Sequence, residues 1–315
     1  MFNDKNTDSI GWEPNYIALS EKGELKKRGK MLWEMLEHCE LCPRACGSNR
    51  LKGELGVCKA TAGLKVSSFH PHFGEEEPLV GTGGSGTIFL SYCGLQCVFC
   101  FNWEISHAGE GFDKSIDELA DMMLTLQRRG SQNINFVTPT QYSPHIVLAL
   151  DKAVKKGLKL PIVYNTSGYE RLEILKRLNG IVDIYLADFK YSDSAIAKKY
   201  SPGAADYPDV ARKALLEMHR QVGVAKPEPD GLIRHGLMIR HLVMPNNSDN
   251  TKKIIDWIAE NLPKDTYLNL MAQYVPSFRA YKYPEISKRL KPEEYYEAVR
   301  YAIDKGLTNL DVQPI

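Results

Sequence analysis

The chain has 315 residues, with 40 Lys and Arg against 39 Asp and Glu, and a formal net charge of +1. This balance argues against a non-specific nucleic-acid-binding protein, which needs an excess of cations to neutralise phosphates. With 43% hydrophobic and 25% charged residues, the composition is that of a soluble globular protein. No apolar run approaches the roughly 18 residues of a membrane helix, and the first residues contain no hydrophobic signal core. We expect a cytoplasmic protein without a membrane partner.

In chain order, residues 1–80 are predicted to form a Cys-rich N-terminal metal-binding extension, irregular apart from a helix over 24–37. Prolines and glycines over 71–86 predict a linker. Residues 81–280 alternate short apolar runs with amphipathic segments, which is typical of parallel β/α units. Residues 281–315 are predicted to be a C-terminal helical segment. The predicted strands are 87–92, 134–137, 161–165, 184–189, 237–243 and 267–272, and the predicted helices between and after them are 115–129, 144–156, 170–178, 209–222, 251–261 and 292–304.

Six strands in series predict an α/β protein with a partial, six-stranded β/α barrel, and a doubly wound sheet is the alternative. In both architectures catalytic residues collect at the carboxyl ends of the strands. Each polar residue there also fits a simple capping role, but together they predict a site. The polar residues at these ends are Cys93, Thr138, Thr140, Asn165, Thr166, Asp188, Lys190, Arg240, His241, Gln273 and Tyr274.

All seven cysteines lie between Cys39 and Cys100, and disulfides are rare in a reducing cytosol, so the clustering predicts metal binding. The second group, Cys93, Cys97 and Cys100, has the spacing C-x-x-x-C-x-x-C directly after the first predicted strand. Three thiolates can ligate three irons of a 4Fe–4S cubane, which normally has four protein ligands, and leave one iron open for chemistry. The alternative is a zinc site completed by a distant histidine.

This motif, with an aromatic residue before its last cysteine, resembles that of the radical S-adenosylmethionine (SAM) superfamily. More narrowly, the chain resembles the pyruvate formate-lyase activating enzyme-like group, of the PflX type. The segments that carry the resemblance are "CELCPRACGSNRLKGELGVC", "HFGEEEPLVGTGGSGTIFLSYCGLQCVFCFNWEIS", "NINFVTPTQY", "PIVYNTSGYE", "YLADFKY", "RHLVMPNN" and "MAQYVP".

The resemblance implies an oxidoreductase in which SAM binds the open iron. An electron donor such as flavodoxin or ferredoxin reduces the cluster, and cleavage of SAM gives a 5′-deoxyadenosyl radical that abstracts hydrogen from a substrate. The implied partner is a protein, a glycyl radical enzyme that this chain activates. Two alternatives remain: a radical SAM enzyme that modifies a small molecule, peptide or nucleotide, and a non-enzymatic iron–sulfur or zinc protein.

The resemblance also assigns roles to individual side chains. Asp188 and Lys190 are the implied catalytic residues, approaching SAM and substrate. Arg240 is implied to meet the methionyl carboxylate or ribose, a role that suits a permanently charged, bidentate guanidinium. The other implied SAM contacts are Phe99 at the adenine, Thr138 and Thr140 near the methionyl amine, where related enzymes carry a carboxylate, and Asn165, Thr166 and Gln273 along the SAM site.

The first cysteine group, Cys39, Cys42, Cys46 and Cys58, supplies four thiolates, enough for a closed site. Spacing does not separate a second 4Fe–4S cluster from zinc, and we favour the auxiliary cluster. Its position before the SAM motif departs from the activating enzymes, whose extra clusters follow that motif. Between the two groups lie His70, His72, Glu75 and Glu76, which we interpret as a solvated turn rather than as the mouth of a substrate site.

Overall fold

The structure, a computed structural model, describes residues 12–314. Residues 1–11, part of the segment searched for a signal core, lie outside this range. Within it, no helix has the length and apolar character needed to cross a membrane. The strands are β1 Leu64–His72, β2 Ser85–Leu90, β3 Phe112–Lys114, β4 Ile134–Val137, β5 Ile162–Thr166, β6 Ile184–Asp188, β7 Gly236–Leu242, β8 Tyr267–Met271 and β9 Leu310–Val312. The helices are α1 Asn15–Glu21, α2 Glu24–Glu34, α3 Glu77–Val80, α4 Ile116–Arg128, α5 Ser143–Val154, α6 Leu172–Leu178, α7 Ser194–Tyr200, α8 Tyr207–Val222, α9 Ser248–Asn261 and α10 Pro292–Asp304.

The nine strands of the described residues form one mixed sheet in the order β3-β1-β2-β4-β5-β6-β7-β8-β9. All six predicted strands are present, neighbouring and parallel. Their spatial order follows the chain without reversal, whereas a doubly wound sheet reverses at a switch point. The doubly wound alternative is therefore wrong, and the fold is an α/β sheet wound in sequence. The partial barrel stays a prediction.

The sheet extends beyond the predicted six strands at both edges. β1 and β3 add an antiparallel pair beside β2, and β9 adds a parallel strand beside β8. The predicted linker is wrong where β1 runs through Pro71, which lies opposite Gly86 of β2. The N-terminal segment thus contributes a strand to the main sheet, while the domain boundaries after residues 80 and 280 stay predictions.

Alternation along the strands separates the two faces of the sheet. On β6, Tyr185 and Ala187 belong to the large core formed with the surrounding helices. Ile184 and Leu186 face the other way, into a smaller apolar cluster. Because side chains alternate with a period of two, Asp188 continues the face of Ile184 and Leu186. This inner face is apolar at the amino ends of the strands and polar at their carboxyl ends.

Local sequence signals explain the helices that cover the outer face. Ser115 and Glu118 form a reciprocal capping box at the start of α4, an arrangement that satisfies two free amide groups. Asp193 caps α7 by accepting from two backbone amides, yet the sequence analysis missed this short helix. In the N-terminal segment, α2 packs against α5, and Ser20 of α1 donates to Asp151 of α5 over 3.0 Å.

Candidate functional site

The loop after β2 carries the three closely spaced cysteines. Tyr92 and Gln96 have positive φ angles of 70° and 57°, a conformation that costs a non-glycine residue energy and is found mainly at functional turns. The side-chain amide of Gln96 donates to the carbonyl of Cys93 over 2.6 Å and closes the loop. Cys93, Cys97 and Cys100 all line the main cavity.

Hydroxyl groups surround two of these sulfurs. Ser201 and Tyr191 donate to Sγ of Cys97 over 3.2 and 3.6 Å, and Ser106 lies 3.1 Å from Sγ of Cys100. Burial and the neighbouring thiols raise the pKa of Cys93 to about 12. The metal-free thiol is therefore protonated at neutral pH, and binding a metal would release its proton.

The donor set fits a cubane cluster. Three sulfurs line one cavity, hydroxyls are placed to donate to thiolates, and the loop leaves the fourth ligand position to a bound molecule. Among residues 12–314, no three His, Cys, Asp or Glu side chains converge on one metal-ion position. A cubane binds each thiolate to a different iron, so its ligand set is wider than that of a single ion.

The main cavity has a volume of about 600 Å³ and lies at the carboxyl ends of the parallel strands. Ligand pockets of roughly 300–1,000 Å³ are typical of cofactor sites, so a nucleoside-sized molecule can enter it. The cavity brings together the predicted catalytic and SAM-binding residues other than Thr140, and the three cysteines of the loop after β2. Those lining it are Cys93, Cys97, Phe99, Cys100, Thr138, Asn165, Thr166, Asp188, Lys190, Arg240 and Gln273.

Asp188 joins the two cations of the cavity. Its carboxylate lies 2.7 Å from Nζ of Lys190 and accepts from Nε of Arg240 over 3.1 Å. Burial works against ionisation of Asp188, but Lys190 and Arg240 outweigh it and lower its pKa. Arg240 also donates to Asn165 over 2.5 Å and lies 3.5 Å from Glu75. These contacts hold the guanidinium in one orientation at the cavity wall.

Thr140 lies behind the cavity wall, and a carboxylate accompanies it. Its hydroxyl donates to Glu170 over 2.6 Å, and the hydroxyl of Thr166 donates to the same oxygen over 2.5 Å. Burial raises the pKa of Glu170 to about 7 against the opposing effect of these hydroxyls. Thr140 thus does not line the cavity, and Glu170 is a residue of the site that the sequence pattern did not predict. A signal for it in the sequence is Gly168, two residues before Glu170, which marks a turn at the end of β5. At Gly168 φ is 75°, and a Cβ would lie 2.2 Å from the carbonyl oxygen of Asp188.

Phe99 is buried in an aromatic cluster at the edge of the cavity. Its ring makes edge-to-face contacts with Tyr191, Tyr200 and Tyr274 at centroid distances of 6.2–6.4 Å. Such contacts fix the ring plane and add packing energy. The structure therefore gives Phe99 a packing role, and its proposed contact with adenine stays a prediction.

The end of β1 and the residues directly after it do not form the expected solvated turn. Glu76 is buried, with 6% of its surface exposed, and Glu75 lines the main cavity. Of the two histidines, His72 also lines this cavity, and His70 is exposed and stacks on Phe89. The interpretation as a solvated turn is wrong for the two carboxylates, because Glu75 lies against Arg240 of β7 and Glu76 accepts from Asn269 of β8.

The first cysteine group lies in the N-terminal segment, against the loop after β2. Cys39 and Cys58 are buried and Cys46 is exposed. Burial, with smaller effects of Cys58 and Cys39, raises the pKa of Cys42 to about 12. A Cβ on Gly94 would lie 3.4 Å from Sγ of Cys42. The two cysteine groups are thus neighbours in space.

Arg44, between the cysteines of the first group, ties that group to the second. It donates from Nε to the carbonyl of Gly94 over 2.8 Å and from Nη2 to that of Leu95 over 3.1 Å. A further bond of 3.0 Å from Nη2 reaches the carbonyl of Pro202, in the segment that follows α7. One guanidinium therefore links the N-terminal segment, the loop after β2 and the chain near α7.

Comparison with known proteins identifies the family. The model of the radical SAM superfamily matches residues 87–258, more than half of the chain. The chain belongs to the radical SAM superfamily. Membership implies a 4Fe–4S cluster and SAM as cofactors, and supports a radical SAM enzyme. The chain is 32% identical over 310 residues to the uncharacterized protein MJ0674 of Methanocaldococcus jannaschii, a match that covers 95% of this chain and 84% of that protein.

Two solved structures match the chain at lower sequence identity. The crystal structure of Streptococcus suis SuiB matches with a TM-score of 0.47 and 16% identity, over 70% of this chain and 46% of SuiB. The structure of SuiB bound to S-adenosylmethionine matches with a TM-score of 0.46 and 15% identity, over 70% of this chain and 47% of that chain. This chain therefore matches less than half of the length of SuiB.

Proposed function

We propose that this radical SAM protein binds a 4Fe–4S cluster through Cys93, Cys97 and Cys100 and binds SAM in the main cavity. The observation that supports this most directly is that the three thiols open onto the same cavity as Asp188, Lys190 and the other strand-end polar groups. When bound, the reduced cluster would supply the electron that cleaves SAM to a 5′-deoxyadenosyl radical, which takes hydrogen from the substrate.

The side chains of the cavity provide binding, orientation and exclusion of water. Arg240, held by Asp188 and Asn165, presents a fixed positive charge that suits the methionyl carboxylate of SAM. Lys190 is paired with Asp188, and its pKa is raised despite burial. Its ammonium group therefore stays charged in the main cavity. The remaining proposed SAM contacts are Phe99, Thr138, Asn165, Thr166 and Gln273.

The proposed substrate is a protein: a glycyl radical enzyme that this chain activates, with flavodoxin or ferredoxin as the electron donor. The sequence resemblance to pyruvate formate-lyase activating enzymes supports this assignment. In the second candidate the radical acts on a small molecule, peptide or nucleotide. An enclosed site favours it, because a small cavity lined by Glu75, Glu76 and Asp311 adjoins the main cavity and can enclose one ligand group.

The test of SAM chemistry is anaerobic reconstitution of the full chain with iron, sulfide, SAM and dithionite, followed by measurement of 5′-deoxyadenosine. We expect product from the wild type and none from single alanine variants of Cys93, Cys97 or Cys100, because three ligands that act as a unit are lost together. A variant with wild-type product would contradict the ligand assignment. Wild type without product would favour the non-enzymatic alternative.

The test of the substrate is co-incubation of the reconstituted chain with candidate glycyl radical proteins. A doublet in the electron paramagnetic resonance spectrum of the partner would support activation. SAM cleavage with no doublet on any partner would favour the second candidate. The Cys93→Ala chain, incubated identically, controls for radicals that arise from the reductant.

We also propose that Cys39, Cys42, Cys46 and Cys58 bind a second metal centre, an auxiliary 4Fe–4S cluster rather than zinc. Arg44 connects this group to the loop after β2. This contact supports a role as an electron relay, because electron transfer between clusters needs short distances. Residues 1–80 would then form a metal-binding extension of the radical SAM core over 81–280, followed by the C-terminal segment 281–315.

A further inference from the structure

A second, smaller cavity adjoins the main cavity on its β8 and β9 side. It has a volume of about 150 Å³ and shares Glu75, Arg240 and Gln273 with the main cavity. This volume is below the roughly 300 Å³ of a small-molecule pocket, so it suits one functional group of a larger ligand. A molecule that occupies the main cavity can therefore place a side group here.

The lining of the small cavity carries more carboxyl groups than cations, and burial raises the pKa of one of these groups, Glu75, to about 7. Four carboxyl groups line it, on Glu75, Glu76, Glu77 and Asp311, against one cation, Arg240. That guanidinium is bonded to Asp188, outside the small cavity, and lies 3.5 Å from Glu75, within it, so the other three carboxyl groups have no contact with a cation among the described residues. The carboxyl groups also affect one another, because burial and the nearby Glu76 and Glu77 raise the pKa of Asp311.

A second observation, independent of this charge, concerns hydrogen-bond acceptors. Asn269 of β8 is buried, donates from Nδ2 to Oε1 of Glu76 over 2.9 Å, and lines the cavity. Its own Oδ1 has no hydrogen-bond partner within residues 12–314, and neither has Oε2 of Glu76. Buried acceptors without donors are costly, and native structures rarely leave them so. Two such oxygens beside one cavity point to a ligand that donates.

We propose that the small cavity binds the ammonium or guanidinium group of the substrate, so that the substrate is an organic cation whose reacting carbon lies in the main cavity. This inference rests on the proposed SAM chemistry with the second candidate substrate, and names the class of that substrate. Such a group places a positive charge beside the carboxylates. Its N–H groups can donate to Glu76 Oε2 and Asn269 Oδ1, which have no other donor in the described part of the chain. Arg240, shared by both cavities, separates this group from SAM.

The test compares two ligands of nearly equal shape, n-butylguanidinium and neutral n-butylurea. Their affinities for the anaerobically reconstituted full chain are measured by calorimetry, with and without saturating SAM. We expect the cation to bind at least tenfold more tightly than the urea, with an affinity that SAM does not reduce. Glu76→Gln should remove this preference, and Asp311→Asn, on the edge strand β9, should weaken it by several-fold.

The matched control is Asp151→Asn, which removes a buried carboxylate that binds Ser20 and Lys155 on the helical side of the sheet. It should keep the full preference for the cation, and circular dichroism should show all three variants folded. Equal affinity for the two ligands, or a preference unchanged in both Glu76→Gln and Asp311→Asn, would overturn the proposal. Competition by SAM or by millimolar Mg²⁺ would overturn it too, since the cavity would then hold part of SAM or a metal ion. Failure of SAM cleavage in the wild type would count against the proposed function alone.

Discussion

Glu170 holds two threonine hydroxyls, and one of them belongs to a residue of the cavity wall, Thr166. Its pKa of about 7 lies above its ordinary value of 4.5 because the carboxyl is buried. Between these values the folded chain keeps a proton that the unfolded chain releases, so unfolding becomes easier as the pH rises. The stability contributed by the neutral carboxyl is complete below about pH 4.5 and is lost as the pH rises through 7.

Glu170→Gln should therefore gain stability relative to the wild type as the pH rises. The substituted amide oxygen still accepts from Thr140 and Thr166 but does not titrate. Between pH 4.5 and 7.5 the difference in free energy of unfolding should move in favour of the variant by about 3 kcal/mol. Urea unfolding of the metal-free chains at several pH values measures this difference. A difference that stays constant across the range would show that Glu170 titrates normally.

Arg240→Ala tests the proposed contact with SAM. Loss of a charge-assisted partner of the carboxylate should weaken SAM binding by about 2 kcal/mol, roughly 30-fold in dissociation constant. Arg234→Ala is the matched control, because Arg234 is similarly shielded and pairs with Glu228 away from the cavity. The measurement is the equilibrium dissociation constant of SAM for the reconstituted wild type and both variants. Unchanged affinity in a folded Arg240→Ala chain would leave the arginine a structural partner of Asp188.

At the scale of elements, Arg44 connects the N-terminal segment to the loop after β2. Arg44→Ala should lower the free energy of unfolding by about 2 kcal/mol, since hydrogen bonds from a charged donor to three carbonyls are lost. Amide hydrogen exchange over residues 93–100 should become faster. Arg28→Ala is the control: it removes two bonds of the same kind, to the carbonyls of Arg177 and Asn179. It should leave hydrogen exchange over residues 93–100 unchanged. Equal exchange in both variants would show that Arg44 does not order the loop.

The elements predicted from the sequence were those whose pattern is local. β5, β6 and β8 are buried throughout, so they show in the sequence as short runs of mostly apolar residues. β1 contains Pro71 and several polar residues, and the edge strands β3 and β9 have three residues each. Pairing with neighbours distant in the chain forms these strands, and no local periodicity marks them.

At the scale of the whole molecule, the same distinction applies to the site. Asp188, Arg240 and the three cysteines of the loop were found because strand ends and motif spacing mark them. The sequence pattern predicts a solvated Glu76, because its burial depends on contacts such as that with Asn269 of β8, 193 residues further along the chain. The order of parallel strands brings the polar ends together, but the covering of a single carboxylate depends on tertiary packing that residue patterns do not encode.

The metal content of the whole chain tests the second centre, formed by Cys39, Cys42, Cys46 and Cys58. Two cubanes predict about eight irons per chain, falling to about four when this group is replaced by alanine. A zinc site predicts about four irons and one zinc, with zinc alone lost on replacement. The measurement is metal analysis of protein purified without oxygen, since exposed clusters degrade in air.

This group lies against the loop after β2, so its role in electron transfer can also be tested by activity. If the auxiliary cluster relays electrons, the alanine variants should cleave SAM poorly with a weak reductant such as reduced flavodoxin. With dithionite, which can reduce the catalytic cluster directly, cleavage should stay close to that of the wild type. Metal bound to the folded form stabilises it, so the variants should also unfold more easily in the N-terminal segment. Four irons and no zinc in the wild type would contradict both a second cluster and zinc, and equal losses with both reductants would contradict the relay.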